Sequence, residues 1–580
     1  MADERPIVVL GAGINGAALA RELVLSATPV VVVEADDVAC GSTAWSTRLI
    51  HGGLRYLEYG EVALVRESLV ERDRLVRLAP HLVAPLPFYV PTRRRLGGLA
   101  AAVARLAGCE GLARRWRPAR GRGAWTIGAG LAIYDLLAVG SRWPRHRTLR
   151  AGGAGLPAVD RHRFPLACTY TDAQLLYPER FTVELLVDAR RAAAERNVAC
   201  EVHTRRRATL LPDGTLRLAA AGDRGVIDVR PAAIVNATGA WVDRTLAAVF
   251  PGAAAGAGGG RLIGGTKGSH LVLLAPRLRA ALAGHGVYAE ADDGRPVFVL
   301  PFGPDLVLVG TTDVPFVGDP AAALADETEI DYLLAATAAL FPDIAPGRDA
   351  VQQHYCGVRP LPAADGAGKA AGAITRRHML VRHPRAPLPA WSIVGGKLTT
   401  CRSLAETAAT EVLGALGRPV TGSSRERPLP GACGGAARAA LVRETAAAAV
   451  RHGFDDARAT AAADRLVGLF GARAAEVFPV SAGRTGSVRG TALPLAAVEF
   501  CVRHEWATTL DDVVERRLML GFDPALCGAG LADIAGVLAD LGQLPRADVA
   551  AAAAACAARL DARYDRRLAA DDPGTGRETR

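Results

Sequence analysis

The run from Pro6 to Glu34, PIVVLGAGINGAALARELVLSATPVVVVE, constrains the fold of this chain more than any other stretch. A short apolar run, Ile7 to Leu10, breaks directly into glycines. The apolar period then lengthens to that of a helix, and a second valine run follows Pro29. Strand, helix and strand in that order read as a βαβ unit, which commits its two strands to parallel pairing. Gly11, Gly13 and Gly16 fill the G-x-G-x-x-G positions, with Ile14 and Asn15 opening the helix. Such glycines supply a tight turn, a backbone that a pyrophosphate can approach and close helix packing, while the helix N-terminus adds N–H donors and positive potential. Glu34, at the end of the second strand, is placed to accept hydrogen bonds from a ribose diol. The expected ligand is a dinucleotide.

Composition bounds the rest. A chain of 580 residues is expected to make about two to four domains, and one 50% apolar and 22% charged can bury a large core. That excludes a disordered chain, a collagen-like repeat and a small disulfide scaffold. The ten cysteines are scattered without C-x-x-C spacing, which suits reduced thiols and gives no reason to expect a metal. The apolar run after MADER is too short for a signal peptide, and no window approaches the roughly 18 apolar residues of a membrane span, so any membrane contact is expected to be peripheral. The net charge of +10 is carried almost wholly by arginine. Lysine occurs three times, and Lys267 and Lys397 both fall in glycine-flanked motifs, where a compact point charge is wanted rather than a planar fork.

Farther along, CGSTAWSTRLIHGGLRYLE offers hydroxyls at Ser42, Thr43 and Thr47 as neutral donors near a pyrophosphate, and Gly52 and Gly53 to let a flat ring approach the backbone. An amphipathic helix is expected from about Val62 to Leu78. Between Arg93 and Arg122 the cations Arg93, Arg94, Arg95, Arg105, Arg114, Arg115, Arg117, Arg120 and Arg122 oppose a single Glu110, with leucines and Trp116 interleaved. Such a segment suits an anionic lipid surface, and nucleic acid is the rival reading. AIVNATGAWVD predicts a buried strand ending in a small-residue turn at Ala237 and Gly239. VFVLPFGPDLVLVGTTD predicts an antiparallel hairpin turning at Gly303 to Asp305. WSIVGGKLTTCRSLAE predicts a strand, two glycines and a helix whose N-terminus favours negative charge. After about Gly422 the pattern is helical and Ala-rich, ending in a tail expected to be disordered.

In chain order GAGINGAALA, STRLIHGGLRYLE, VNATGAWV, KGSH, VGTTDVPFVGDP, GVRPL, ITRRH, GGKLTTCRSLAE and VEFCVRHEW make the chain resemble the FAD-dependent, quinone-linked glycerol-3-phosphate dehydrogenases over nearly its whole length. It departs from that family's pattern at Ala12, Arg21, Cys401 and around Tyr177 to Phe181. The resemblance and the pattern together imply an α/β fold with a discontinuous Rossmann-like FAD-binding domain, an antiparallel-sheet substrate domain and an all-helical C-terminal domain. FAD-binding parts are expected at about 1–80, 160–250 and 350–425, substrate- or membrane-facing parts at about 81–159 and 251–349, the helical domain at 426–565 and the tail at 566–580.

The resemblance further implies oxidation of glycerol 3-phosphate to dihydroxyacetone phosphate by hydride transfer to FAD, with electrons passed to a membrane quinone. An oxidase using oxygen is the close alternative, and an RNA-acting flavoprotein the distant one. FAD contacts are expected from Gly11, Gly13, Ile14, Asn15, Gly16, Glu34, Ser42, Thr43, Thr47, Arg48, Leu49, His51, Gly52, Gly53, Ala237, Gly239, Gly396, Lys397, Leu398 and Thr399. Substrate contacts are expected from Arg55, Tyr56, His270, Arg359, Arg376, Lys397 and Thr399. Forked arginines suit a phosphate, and Lys397 suits the ring edge where reduction places charge. Lys397, Arg359, Arg55, His51 and His270 are the catalytic candidates, the proton acceptor being His51, His270 or a water. The expected setting is the cytoplasmic face of the inner membrane, on an anionic surface gripped by residues 93–122, with no nucleic-acid partner and with homodimer formation left open.

Overall fold

The computed structural model describes residues 5–97, 122–138, 140–141, 143–220, 225–251, 261–363, 378–481 and 483–571. The valine runs form a six-stranded sheet in the order Met379–Arg382, Ala390–Val394, Ala233–Asn236, Ile7–Leu10, Val30–Val33 and Cys200–His203. All neighbours in it are parallel except the outermost pair, Met379–Arg382 with Ala390–Val394. Strand residues alternate between two cores. Ile7, Val9, Val30 and Val32 face a layer made by the helices Ile14–Leu25, Pro178–Arg196 and Cys401–Ala415. Val8, Leu10, Val31 and Val33 face Leu216, Leu218 and Leu246 on the far side. In register, Leu10 stands between Val33 and Asn236, so three strand ends open on the edge where the glycine turn lies. Ligands of open parallel sheets sit at such carboxyl edges.

A second, ten-stranded sheet is mainly antiparallel. The expected hairpin is there, as Pro296–Phe302 paired with Leu306–Gly310, and both strands are almost fully buried because helix Glu327–Leu340 covers one face. Three pieces assigned from sequence to the dinucleotide parts belong to this sheet instead. Leu49–Ile50 and Leu166–Leu175 pair with each other, and Val351–Arg359 pairs along Thr266–Leu274. Apolar alternation marks a strand but not its neighbour, and these strands carry the chain between the two sheets.

Beyond Gly435 the described regular elements are helices, chiefly Gly435–Arg451, Asp456–Phe470, Leu495–His504, Gly528–Asp540 and Val549–Tyr564. Two buried ion clusters tie them to the dinucleotide region. Glu505 accepts from Arg180 and Arg473, and Asp37 accepts from Arg516 and Arg517. Fixed guanidinium forks hold both carboxyls well below the usual carboxylate range against the opposing effect of burial. The expected tail begins too early. Arg566 is buried, donating to the Gly521 and Asp523 carbonyls, and Ala569 donates its N–H to the Leu526 carbonyl, so this stretch is anchored to the helical region although Arg567 is exposed. Residues 572–580 lie outside the described residues.

Candidate active site

A cavity of about 1270 Å³ runs along the carboxyl edge of the parallel sheet and reaches the second sheet and the last helix. That is more than the roughly 300–1,000 Å³ of a pocket for one drug-sized ligand, as a dinucleotide plus a substrate requires. The three fingerprint glycines divide their work. At Gly11, φ is +100° and a Cβ would lie 2.8 Å from the Ala237 carbonyl oxygen. At Gly16 a Cβ would lie 1.9 Å from the Gly11 carbonyl oxygen. Both are therefore glycine for packing. Gly13 lines the cavity, and a Cβ there would meet only Thr43 Oγ1 at 3.4 Å. The open side of Gly13 is the space a diphosphate needs. Thr43 Oγ1 accepts the Ile14 N–H, Asn15 donates to the Gly395 carbonyl, and Glu34 accepts the Ala12 and Asp36 N–H groups at 2.8 and 3.1 Å, fixing its carboxylate along the cavity. Burial raises the Glu34 carboxyl above its ordinary value, opposed by those two N–H groups. The cradle fits a dinucleotide with a ribose diol at Glu34.

At the other end, His51, Tyr56, His270, Arg359, Lys397, Leu398 and Thr399 line the same cavity, with Ser42, Thr47, Leu49, Ala237, Gly239 and Gly396 between. Lys397 Nζ lies 3.7 Å from the centroid of the Tyr56 ring, a cation–π contact. It sits in a turn after Gly395 and Gly396, both at positive φ, and the helix itself begins at Cys401. Thr399 Oγ1 accepts the His51 N–H and so locks the two loops together. His270 is buried, stacked on Tyr355 at 4.9 Å, with Nε2 2.9 Å from Thr47 Oγ1. Burial, then the charges of Arg359 and Arg48, push its pKa well below the ordinary imidazole value, so the ring is neutral at pH 7.

Other expected contacts are placed as follows. Arg48 lines the cavity, and its buried guanidinium is forked onto Glu179 at 2.6 and 2.9 Å, over the Phe522 ring. Gly52 is small because a Cβ would strike the Tyr134 hydroxyl and Leu69. A Cβ at Gly53 would strike the Tyr56 ring, and neither glycine lines the cavity. Arg55 does not line it either. Arg359 does, but its two terminal nitrogens already donate to Asp313, Thr311 and the Lys267 and Thr312 carbonyls. All four terminal N–H groups of the expected phosphate fork thus have acceptors within the protein, because Arg359 also closes the edge between two strands. Lys267, singled out by its rarity, pairs with Asp326 and Glu329 at the N-terminus of helix Glu327–Leu340. Arg376 lies outside the described residues. Sequence reasoning missed the C-terminal contribution to the cavity, from Glu515, Arg516, Arg559, Arg563 and Tyr564, and the two tryptophans Trp45 and Trp241.

Fold and site together define a flavoprotein-type oxidoreductase: a dinucleotide cradle opening onto a second sheet that carries a neutral histidine and cations. The family model for FAD-dependent oxidoreductases matches residues 6–384, and that for the C-terminal domain of alpha-glycerophosphate oxidase matches residues 423–543. The chain is 35% identical over 523 residues to a glycerol-3-phosphate dehydrogenase of Synechocystis, covering 88% of each chain. It is 32% identical over 536 residues to the aerobic glycerol-3-phosphate dehydrogenase of Escherichia coli K12, covering 90% of this chain and 94% of that one. In fold it is similar to a glycerol-3-phosphate dehydrogenase from Bacillus halodurans solved with FAD, with a TM-score of 0.70 at 20% identity, over 100% of this chain and 97% of that one. The chain belongs to the FAD-dependent oxidoreductases, and within them to the glycerol-3-phosphate dehydrogenase family.

Proposed function

We propose that the protein oxidises sn-glycerol 3-phosphate to dihydroxyacetone phosphate and passes the electrons to a membrane quinone. The observation that carries this reading is the convergence of His51, Tyr56, His270, Arg359 and Lys397 on the cavity that also holds Gly13 and Glu34. Bound FAD supplies the hydride acceptor. The protein's part is to hold the alcohol carbon, take its hydroxyl proton and stabilise charge. His270 is the proton acceptor of this reading, since it is neutral and lines the cavity, with its Nε2 held at Thr47. Lys397, held by Tyr56, supplies positive potential on the side opposite Glu34's end of the cavity, and Arg359 adds charge that favours a phosphorylated substrate.

Peripheral attachment to an anionic leaflet of the inner membrane, on its cytoplasmic face, completes the reading. No described helix is long and apolar enough to cross a membrane. Next to the arginine segment, Leu96 and, on helix Ala124–Leu137, Trp125 and Leu136 are 73%, 70% and 70% exposed, an apolar display that suits a lipid surface. Arg93 and Arg122 at the segment's ends pair with Asp292 and Glu290. Residues 98–121 lie outside the described residues. Purified protein assayed with glycerol 3-phosphate, once with a quinone analogue and once with oxygen alone, tests the acceptor. Turnover with oxygen at the quinone rate would favour an oxidase.

A further inference from the structure

Around the diphosphate cradle the contacts close into a ring. Gly41 is small because a Cβ there would lie 3.1 Å from the Trp241 ring. Trp241 Nε1 donates to Asp319 Oδ1 at 3.2 Å, and the same oxygen accepts the Ala321 N–H at 3.0 Å. The Ala321 carbonyl accepts from Arg563 Nη1 at 3.0 Å, and the Arg563 guanidinium lies 4.5 Å over the Trp45 ring. Trp45 returns to the loop of Gly41, two residues beyond Thr43, whose hydroxyl caps the N-terminus of helix Ile14–Leu25. Every member of the ring lines the cavity.

On the side of this rim formed by the last helix and its neighbours, Arg563 differs from Arg244, Arg559 and Arg516. Arg244 is paired with Asp319, Arg559 with Asp511 and Glu515, and Arg516 with Asp37. Arg563 is held by a carbonyl and by the Trp45 and Tyr564 rings, and no carboxylate of a described residue pairs with it. Arg563 is half-buried on the cavity wall, and a guanidinium there without a carboxylate partner is free to take an anion. On the reading of the cavity as an FAD site, the anion available there is the cofactor's diphosphate, which helix Ile14–Leu25 and Gly13 receive from the opposite side.

We propose that Arg563, from the end of the last helix, is a cofactor-binding residue that closes the cleft over the FAD diphosphate, so that the C-terminal helical region is part of the FAD site. Equilibrium titration of apoprotein with FAD, and separately with ADP, tests this. Arg563→Gln should raise both dissociation constants about tenfold, the lower end for a charge-assisted contact. Arg563→Lys should keep most of the affinity, Arg567→Gln on the neighbouring surface should behave as wild type, and all four apoproteins should melt at the same temperature. Equal FAD and ADP constants in Arg563→Gln and wild type overturn the assignment. A loss shared in full by Arg563→Lys, with a lower apoprotein melting temperature, overturns it too, because it marks a packing role. If wild-type apoprotein binds neither FAD nor ADP, the FAD reading itself fails and the proposal falls with it.

Discussion

Adding one methyl group at each of two fingerprint glycines separates binding from folding. Gly13 has φ −72° and ψ 178°, a conformation open to any L-residue, and its added Cβ would meet only Thr43 Oγ1 at 3.4 Å. Gly13→Ala should therefore leave the apoprotein intact, or stabilise it by about 0.4–1 kcal/mol through the unfolded chain. The methyl stands where the diphosphate approaches the backbone. Losing one charge-assisted N–H contact costs about 1.5–3 kcal/mol, which weakens FAD binding roughly ten- to a hundredfold, and Gly13→Val should leave apoprotein outright. Gly16→Ala is the opposite case. Its Cβ would overlap the Gly11 carbonyl oxygen at 1.9 Å, so the helix must shift, at about 1–3 kcal/mol or more of stability before any ligand is present. Thermal melting of apoprotein and calorimetric titration with FAD read the two effects apart. If Gly13→Ala apoprotein binds FAD as tightly as wild type, or Gly16→Ala apoprotein melts like wild type, the division of roles among the glycines is wrong.

Arg359→Ala should raise the KM for glycerol 3-phosphate about tenfold or more while the FAD dissociation constant stays put, with steady-state kinetics as the check. Because the folded pKa of His270 is depressed, its contribution to kcat/KM should be flat across neutral pH and fall only as pH drops through that low value. A pH profile limited near the ordinary imidazole value of about 6.5 would contradict the assignment of this role to His270. Glu505→Gln leaves Arg180 and Arg473 buried without their carboxylate and should cost about 3–5 kcal/mol by thermal unfolding. Since the Glu505 carboxyl is held below its unfolded value, wild type keeps this stabilisation above about pH 4.5 and loses it as pH falls further towards the folded value. Replacing Arg114, Arg115 and Arg117 by Glu should abolish flotation with anionic liposomes while activity with a soluble dye persists.

Local pattern carried the parallel sheet, the Val62–Leu78 helix and the hairpin at Gly303 to Asp305, because each is written in consecutive residues. Local pattern also marks the turn between the first strand and the first helix, where Gly13 stands, and the end of the next strand, where Glu34 follows. What pattern could not show was partnership at long range. Arg48 sits among cofactor contacts in sequence, yet Glu179 claims its fork. Arg563 and Trp45 meet across most of the chain, and no periodicity reports that meeting. Residues 566–571 look like a tail by composition, and only the buried Arg566 reveals that the stretch is anchored.

If one cavity joins an FAD cradle to a glycerol 3-phosphate site, as proposed, an anaerobic titration of the purified protein will show it. Purified protein should show bound flavin absorbance, and glycerol 3-phosphate should bleach it while glycerol does not. Adding a soluble quinone analogue should then restore the oxidised spectrum. Bound flavin that glycerol 3-phosphate leaves unbleached, or a protein that carries no flavin and takes up none, would contradict the account.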